Sequence, residues 1–194
     1  MYTLTTTPVP EVVTDPVAEP VTLEEAKNHL NLSQSSSDHD DILSQYIAAS
    51  RQQLETDINF ALIQRTMRVK LPEIASVRFP MGPLVAVSSI TYYDSDNAEQ
   101  TLSTSLYSID TATDSLRLIG DSFPTVYDRW DAVTINYTIG KATTAATVPP
   151  LCKSAILLLI GHYFENRDML LGSNMAAMEA YERICRLLHR SSYP

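Results

Sequence analysis

Met67-Arg68-Val69-Lys70-Leu71 decides the fold, because apolar and charged residues alternate there with a period of two. The stretch before it keeps a different period. Leu43, Ile47, Leu54 and Ile58, with Ile42, Tyr46 and Ala49 beside them, recur at helical spacing. The spacing predicts a helix from Asp38 to about Asp57. Asp38 is its expected cap, and Asp40 and Asp41 fall in the first turn, where carboxylates favour the helix dipole. After Leu71 the strand candidates continue: Val77 to Phe79, Val85 to Tyr93, Tyr107 to Ile109, Leu116 to Ile119 and Val133 to Ile139. Pro80, Gly82 and Pro83 punctuate them, as does the turn cluster Asp94-Ser-Asp-Asn97. Residues 66–139 therefore read as a compact block of short antiparallel strands.

Helices are expected on both sides of this block. Thr22-Leu-Glu-Glu25 is a capping box that opens a short helix ending near Leu32. Pro149 and Pro150 suit the first turn of a third helix. Leu151 to Phe164 is apolar nearly all round, so this helix is expected to be central and buried. Residues 172–174 break it, and Asn174 caps a last helix carrying Met178, Tyr181, Ile184 and Leu188. The fold class is α+β: a four-helix core with a small antiparallel β domain inserted between the second and third helices. The expected boundaries are an extended arm over 1–20, a helical core over 21–65 and 140–190, the β domain over 66–139, and a tail over 191–194. The arm holds four prolines and five threonines, so its ordering should need a partner.

Composition excludes several classes. With 44% hydrophobic and 19% charged residues in 194, the chain is globular rather than disordered. The net charge of −9 disfavours a general DNA-coating protein, since phosphate binding scales with cations supplied. Residues 1–20 lack a basic start and an apolar run, so no signal peptide is expected; nor is any membrane segment. Two cysteines, Cys152 and Cys185, make no disulfide framework.

Catalytic and metal-binding patterns are not found in the sequence. There is no nucleophile elbow, phosphate loop or dinucleotide fingerprint. The four histidines form no zinc pattern, and the two cysteines are too far apart in sequence to form one. His162 with Glu165 three residues on could be an acid/base pair, but a satisfied core histidine is the better reading. Asp94-Ser-Asp96-Asn97 starts like a calcium loop and then fails, with Glu99 where glycine is needed. No enzyme, metal or cofactor is expected. Contact surfaces remain. Tyr127-Asp128-Arg129-Trp130 mixes charge with aromatics and reads either as a contact surface or as a loop packed on the β domain. Residues 94–131 hold eight acids against two bases. The last helix reverses the sign: Arg183, Arg186 and Arg190 lie along one side, which reads either as a solvated face with a cation-rich helix C-terminus or, with Tyr181 and Tyr193, as a docking stripe for an acidic partner.

Several stretches together resemble a known family. Leu23-Glu-Glu-Ala-Lys-Asn-His-Leu30, then Asp40-Asp41 and Ile47-Ala-Ala-Ser-Arg51, is similar to the opening of tailed-phage head–tail connector proteins of the gp6-like class. Pro83 to Asp94 and Tyr107-Ser-Ile-Asp110 resemble the strand block of its longer members. Val148-Pro-Pro-Leu-Cys-Lys-Ser-Ala155 and His162-Tyr-Phe-Glu-Asn-Arg167 resemble their apolar helix. The resemblance implies a structural protein of the virion neck, assembled in the host cytoplasm. It implies a homo-oligomeric ring, taken as a dodecamer, beneath the portal protein. The ring would hand the DNA channel on to a stopper or tail protein, with genome DNA passing unbound. It also points the C-terminal stripe, Tyr181 to Tyr193, at the portal. A tail-completion protein is the nearest rival reading, and a small α+β enzyme the more distant one.

Overall fold

A computed structural model describes residues 9–166 and 175–189. Two units divide the chain, one built up to Pro16 and over Gln64–Gly140, the other over Val17–Ile63 and from Lys141 onward. The fold is α+β, as expected, with four α-helices among the described residues and antiparallel sheets.

The helical unit begins at α1 (Leu23–His29). Its capping box is formed: Thr22 N–H donates to Glu25 Oε2 at 2.8 Å, and Glu25 N–H donates to Thr22 Oγ1 at 3.1 Å. Burial pushes the Glu25 carboxyl upward, but Lys153, whose Nζ lies 2.6 Å away, and the Thr22 N–H hold it below the usual glutamate range. Helix α2 (Asp40–Ile58) has Asp40 and Asp41 in its first turn, but its cap differs from expectation. His39 takes the capping position without a side-chain bond, because the Asp38 carboxylate accepts from the Ser36 hydroxyl at 2.8 Å instead. Asn59, at φ 51°, ends the helix in the left-handed conformation that a short amide tolerates. Helix α3 (Pro150–Glu165) starts on proline as read from the sequence, and α4 (Met175–Leu188) follows.

One core holds the unit together. Leu43, Ile47, Leu54 and Ile58 of α2 meet Ala155, Ile156, Leu159 and Ile160 of α3, all buried. Leu157, Met178, Ile184 and Leu188 pack at the margin. The strand block leaves this unit and returns to it at adjacent points. Lys141 N–H donates to Ala61 O at 3.1 Å and Ala142 N–H to Leu62 O at 2.8 Å. A bridge joins Ile63 to Ala142. Ends held this close allow a long excursion at little loop-closure cost.

The strand unit has two sheets. The larger runs in the order β1-β2-β8-β4-β5, all antiparallel. Here β1 is Glu11–Val12, β2 Arg65–Leu71, β4 Leu84–Tyr93, β5 Glu99–Thr101 and β8 Val133–Ile139. The smaller is β3 (Val77–Arg78), β7 (Ser115–Leu118) and β6 (Tyr107–Asp110). In β2 and β8 every second residue is buried, so the alternation read at Met67–Leu71 is the inner face of the sheet. Strand β1 lies in the stretch expected as an extended arm. Thr14 Oγ1 accepts from Thr66 N–H at 3.2 Å and fastens it to β2. Asp114, buried at φ 52°, joins the two sheets: its Oδ1 accepts from Leu84 N–H at 2.7 Å and its carbonyl from Phe79 N–H at 2.8 Å.

Tyr137 of β8 lies against Phe79, ring centroids 4.3 Å apart, and is wholly buried. Its hydroxyl finds no hydrogen-bond partner among the described residues, and burial pushes its pKa to about 12. A buried hydroxyl without a partner costs free energy that phenylalanine would not. Tyr137→Phe is expected to raise stability by about 1 kcal/mol, read as a higher urea midpoint with an unchanged slope. A lower midpoint would mean the hydroxyl is satisfied.

Candidate functional site

Helix α4 is built with two faces. Met178, Tyr181, Ile184, Cys185 and Leu188 recur at helical spacing and turn into the core. Tyr181 is only 4% exposed, and its hydroxyl donates to Asp57 Oδ2 of α2 at 2.6 Å. Burial, and then the neighbouring Asp57 carboxylate, push this phenol well above its ordinary pKa. Tyr181 therefore fastens α4 to α2 and does not present contact area to a partner, unlike its place in the expected stripe. The physical reason is its position at the centre of the apolar face, three residues from Met178 and four from Cys185.

The opposite face of α4 is exposed among the described residues. Glu179, Glu182, Arg183, Arg186 and Leu187 are exposed there. Arg183 and Arg186 fall on one side as expected, each four residues beyond a glutamate, a spacing that lets the charges meet along the helix. Arg186 Nε donates to the Glu182 carbonyl at 3.3 Å. Arg190 and Tyr193 lie outside the described residues.

The second candidate sits in the strand unit, on the segment leading into β8. Tyr127 N–H donates to Tyr93 O at 2.9 Å, which fixes the segment against β4. The Arg129 guanidinium lies over the Tyr93 ring at 4.3 Å and pairs with Asp131 through Nε at 2.5 Å and Nη2 at 3.0 Å. This pairing holds the Asp131 carboxyl below the usual aspartate range. Arg129 is thus spent inside the subunit as a brace. Tyr127, Asp128 and Trp130 remain exposed, and Trp130 is 72% accessible. Lys70 Nζ stands 5.5 Å from the Trp130 ring centroid, in cation–π range.

Other chemistry-bearing residues have structural work. The Asp94 carboxylate accepts from Asp96 N–H and Ala98 N–H, both at 3.0 Å, and from Gln100 Nε2 at 2.9 Å. That is the β4–β5 hairpin turn read from the sequence. His162 Nδ1 is 3.2 Å from Asn166 Nδ2, and His39 stacks edge-on against Phe164. Cys152 is buried, which pushes its thiol to about 11, and burial raises Cys185 as well. Such thiols carry little thiolate at neutral pH. An open groove of about 330 Å³ is lined by Val21, Leu23, Ile47 and Glu19, but the Glu19 carboxylate is already held by Arg51 at 2.8 Å. Among the described residues no cluster of His, Cys, Asp and Glu could hold a metal ion, and no helix is long and apolar enough to cross a membrane.

What the sequence could not signal is the ion cluster inside the helical unit. Arg51 pairs with Glu19 and with Glu55, and Lys27 pairs with Asp40 while donating to Ser36 O at 2.7 Å. Arg51 falls in a stretch that carried the family resemblance; Glu55 stands four residues on along the same helix, a spacing visible in the sequence, whereas Glu19 meets it only in three dimensions.

Comparison with known proteins follows from this geometry. A family model described as phage gp6-like head-tail connector protein matches residues 20–119, from the start of the helical unit through β7. No curated protein matches the chain. Solved structures share the fold, among them three from gene transfer agent particles. The neck of an empty GTA particle computed with C6 symmetry aligns at a TM-score of 0.74 and 23% identity, covering 91% of this chain and 94% of that one. The virion of a native gene transfer agent particle aligns at 0.72 and 21% identity, covering 90% and 93%. The neck of the native particle computed with C12 symmetry aligns at 0.70 and 22% identity, covering 91% and 94%.

Proposed function

We propose a role for this chain from one premise: it belongs to the phage gp6-like head-tail connector family. The chain is a structural, non-enzymatic component of the virion neck. Copies form a ring, a dodecamer, beneath the portal protein and extend the DNA channel toward a stopper or tail protein. The observation that carries this reading is the family match itself, which runs unbroken from α1 into the inserted strands. Support also comes from the related neck structures with C6 and C12 symmetry. Net acidity suits a channel part: a net charge of −9 offers phosphate little to bind, so DNA slides past without being held.

The exposed face of α4 is the portal-docking element. Arg183 and Arg186, with Arg190 and Tyr193 following in the sequence, meet acidic side chains or helix C-termini of the portal, because a guanidinium presents a planar fork suited to carboxylates. Tyr127, Asp128 and Trp130, braced by Arg129, supply contacts to a neighbouring subunit or on the tail side. Arg186→Glu is expected to weaken portal attachment at least about tenfold while leaving the fold and ring intact, since it reverses one interface charge. The measurement is co-sedimentation of the purified chain with portal rings. An acid-to-lysine change on the portal should restore binding. Wild-type attachment by the variant sinks the α4 contact, and binding to tail tube but not to portal would move the chain to a tail-completion role.

A further inference from the structure

Four strands lie at sheet edges: β1 and β5 in the larger sheet, β3 and β6 in the smaller. An edge leaves main-chain donors and acceptors without a ladder, and proteins blunt such edges with brevity, proline, charge or bulges. Three of the four are blunted. β1 and β3 are two residues long, with Pro10 beside the first and Arg78 in the second. β5 has three residues and opens on Glu99, and the half of β4 that it leaves uncovered carries two register shifts. β6 has no such defence. It runs four residues in unbroken register with β7, from Tyr107 opposite Leu118 to Asp110 opposite Ser115. Its single charge is turned into the hairpin: the Asp110 carboxylate accepts from Ala112 N–H at 2.9 Å and from the Thr113 hydroxyl at 2.7 Å. Ser108 and Ile109 are exposed.

Bonds on both sides of β7 fix which groups of β6 are open. Ile119 N–H donates to Leu106 O at 2.8 Å, on the β6 side. On the β3 side Leu118 N–H donates to Ser76 Oγ at 3.1 Å, and Asp114 O accepts from Phe79 N–H at 2.8 Å. Main-chain direction alternates along a strand, so Ser115 and Arg117 face β6 and bond Asp110 and Ser108. Tyr107 and Ile109 therefore point their N–H and C=O groups away from β7, two donors and two acceptors at alternate residues. Their side chains share a face with buried Leu116, while Ser108 shares the other with exposed Arg117.

A segment of this chain matches that edge. Tyr2-Thr-Leu-Thr-Thr-Thr7 precedes the described residues, and Val9, where they begin, is 86% exposed. The segment has no charge, glycine or proline and is mostly of residue types that strands favour. Tyr2 and Leu4 alternate with Thr3 and Thr5, the period of a half-buried strand.

We propose that residues 2–7 add to β6 as a further antiparallel strand, with Tyr2 opposite Ile109, Thr3 opposite Ser108 and Leu4 opposite Tyr107. This register lays Tyr2 and Leu4 on the Leu116 face and the threonines on the Arg117 face, and a shift of one residue would reverse both. Main-chain bonds hold the strand, and the alternation selects it.

Amide hydrogen exchange, read residue by residue in the full chain, tests the seat. Tyr107 and Ile109 N–H are expected to exchange slowly. Deleting residues 2–7 should speed both at least about tenfold, while Ser108 N–H, bonded to β7 in either protein, keeps its rate. Leu4→Asp should act in the same direction, and circular dichroism checks that each variant is folded. Protection that is independent of concentration puts the segment on its own copy, and protection that grows with concentration puts it on a neighbour; both support the seat. A second measurement is independent of exchange. Thr3→Cys with Ser108→Cys forms a non-hydrogen-bonded pair, close enough for a disulfide. An added oxidant should link these two, identified by the mass of the joined peptides, faster than Thr5→Cys with Ser108→Cys. Unchanged exchange at Tyr107 and Ile109 after the deletion overturns the proposal, and so does a Thr3–Ser108 pair that links no faster than the Thr5 pair.

Discussion

Replacing Leu159 by aspartate is expected to destabilise the chain by about 3–5 kcal/mol, through a buried carboxylate with no partner. Leu159 is 2% exposed and belongs to the cluster that joins α2, α3 and α4. The cluster also holds Leu43, Ile47, Ile156 and Ile160, whose side chains can neither donate to a carboxylate nor solvate it. Two responses are open to the variant. The carboxyl can stay protonated at neutral pH, which costs the free energy of a strongly raised pKa, or the helix can open to admit water, which costs the packing. Either takes a large share of the 5–15 kcal/mol that holds an ordinary domain together. Leu159→Met keeps the volume and should cost under about 1.5 kcal/mol. Urea unfolding of the two variants separates burial of charge from loss of shape. An unchanged midpoint for Leu159→Asp would show that α3 is not central.

The reading of α3 as a buried helix needed nothing but its run of apolar residues, and β2 and β8 announced themselves through strict alternation. Those signals are strong because each residue's own side chain carries them. Strands β1 and β5 carry no such mark. Glu11–Val12 is too short for a period, and it is a strand only because Thr66 and Thr14 fasten it to β2. Glu99-Gln-Thr101 is polar throughout, and the Asp94 turn puts it in register with Thr91 to Tyr93. Asp38 was a sound cap by residue type, yet Ser36 claimed its carboxylate first.

The candidate surfaces divide in the same way. The arginine face of α4 follows from spacing, and so Arg183 and Arg186 come out together. Tyr181 follows from the same spacing, since it lies in the apolar repeat with Met178 and Cys185, and that repeat outweighs tyrosine's general frequency at interfaces. In the segment from Tyr127 to Trp130 the mixture of aromatics and charge was visible, but not its division of labour. Arg129 turns inward to Asp131 and Tyr93, while Trp130 turns outward beside Lys70, a residue sixty positions earlier in the chain. Long-range pairing of this kind leaves no local pattern to read.

Arg51→Ala is expected to cost about 3–5 kcal/mol, the penalty for breaking a buried ion pair by removing one partner. Arg51 is 6% exposed and Glu55 1%. The guanidinium meets Glu19 through Nε at 2.8 Å and Nη2 at 3.3 Å, and Glu55 through Nη1 at 3.2 Å. Burial alone would lower the Arg51 pKa; the Glu19 and Glu55 carboxylates hold it above its ordinary value. Glu55 also accepts from Leu62 N–H at 2.7 Å, just past the end of α2. One arginine therefore ties the segment before α1 to α2, and through Glu55 to the stretch that leads out to the strand unit. Alanine at 51 takes from the buried Glu55 carboxylate the charge that Arg51 brings to it. Glu19→Ala removes only the partner that solvent partly reaches and should cost about 1 kcal/mol or less, in the range of exposed pairs. The decisive comparison is the double variant Arg51→Met with Glu55→Gln. It removes both charges together, keeps a carbonyl for Leu62 N–H, and should recover most of the loss, because a buried pair contributes far less than the cost of orphaning one member. Urea unfolding of the wild type, Arg51→Met, Glu55→Gln and the double variant gives the cycle. Additive losses in the double variant would show that Arg51 and Glu55 do not act as a pair, and an Arg51→Ala loss below about 1 kcal/mol would place the guanidinium among ordinary solvent-exposed ion pairs.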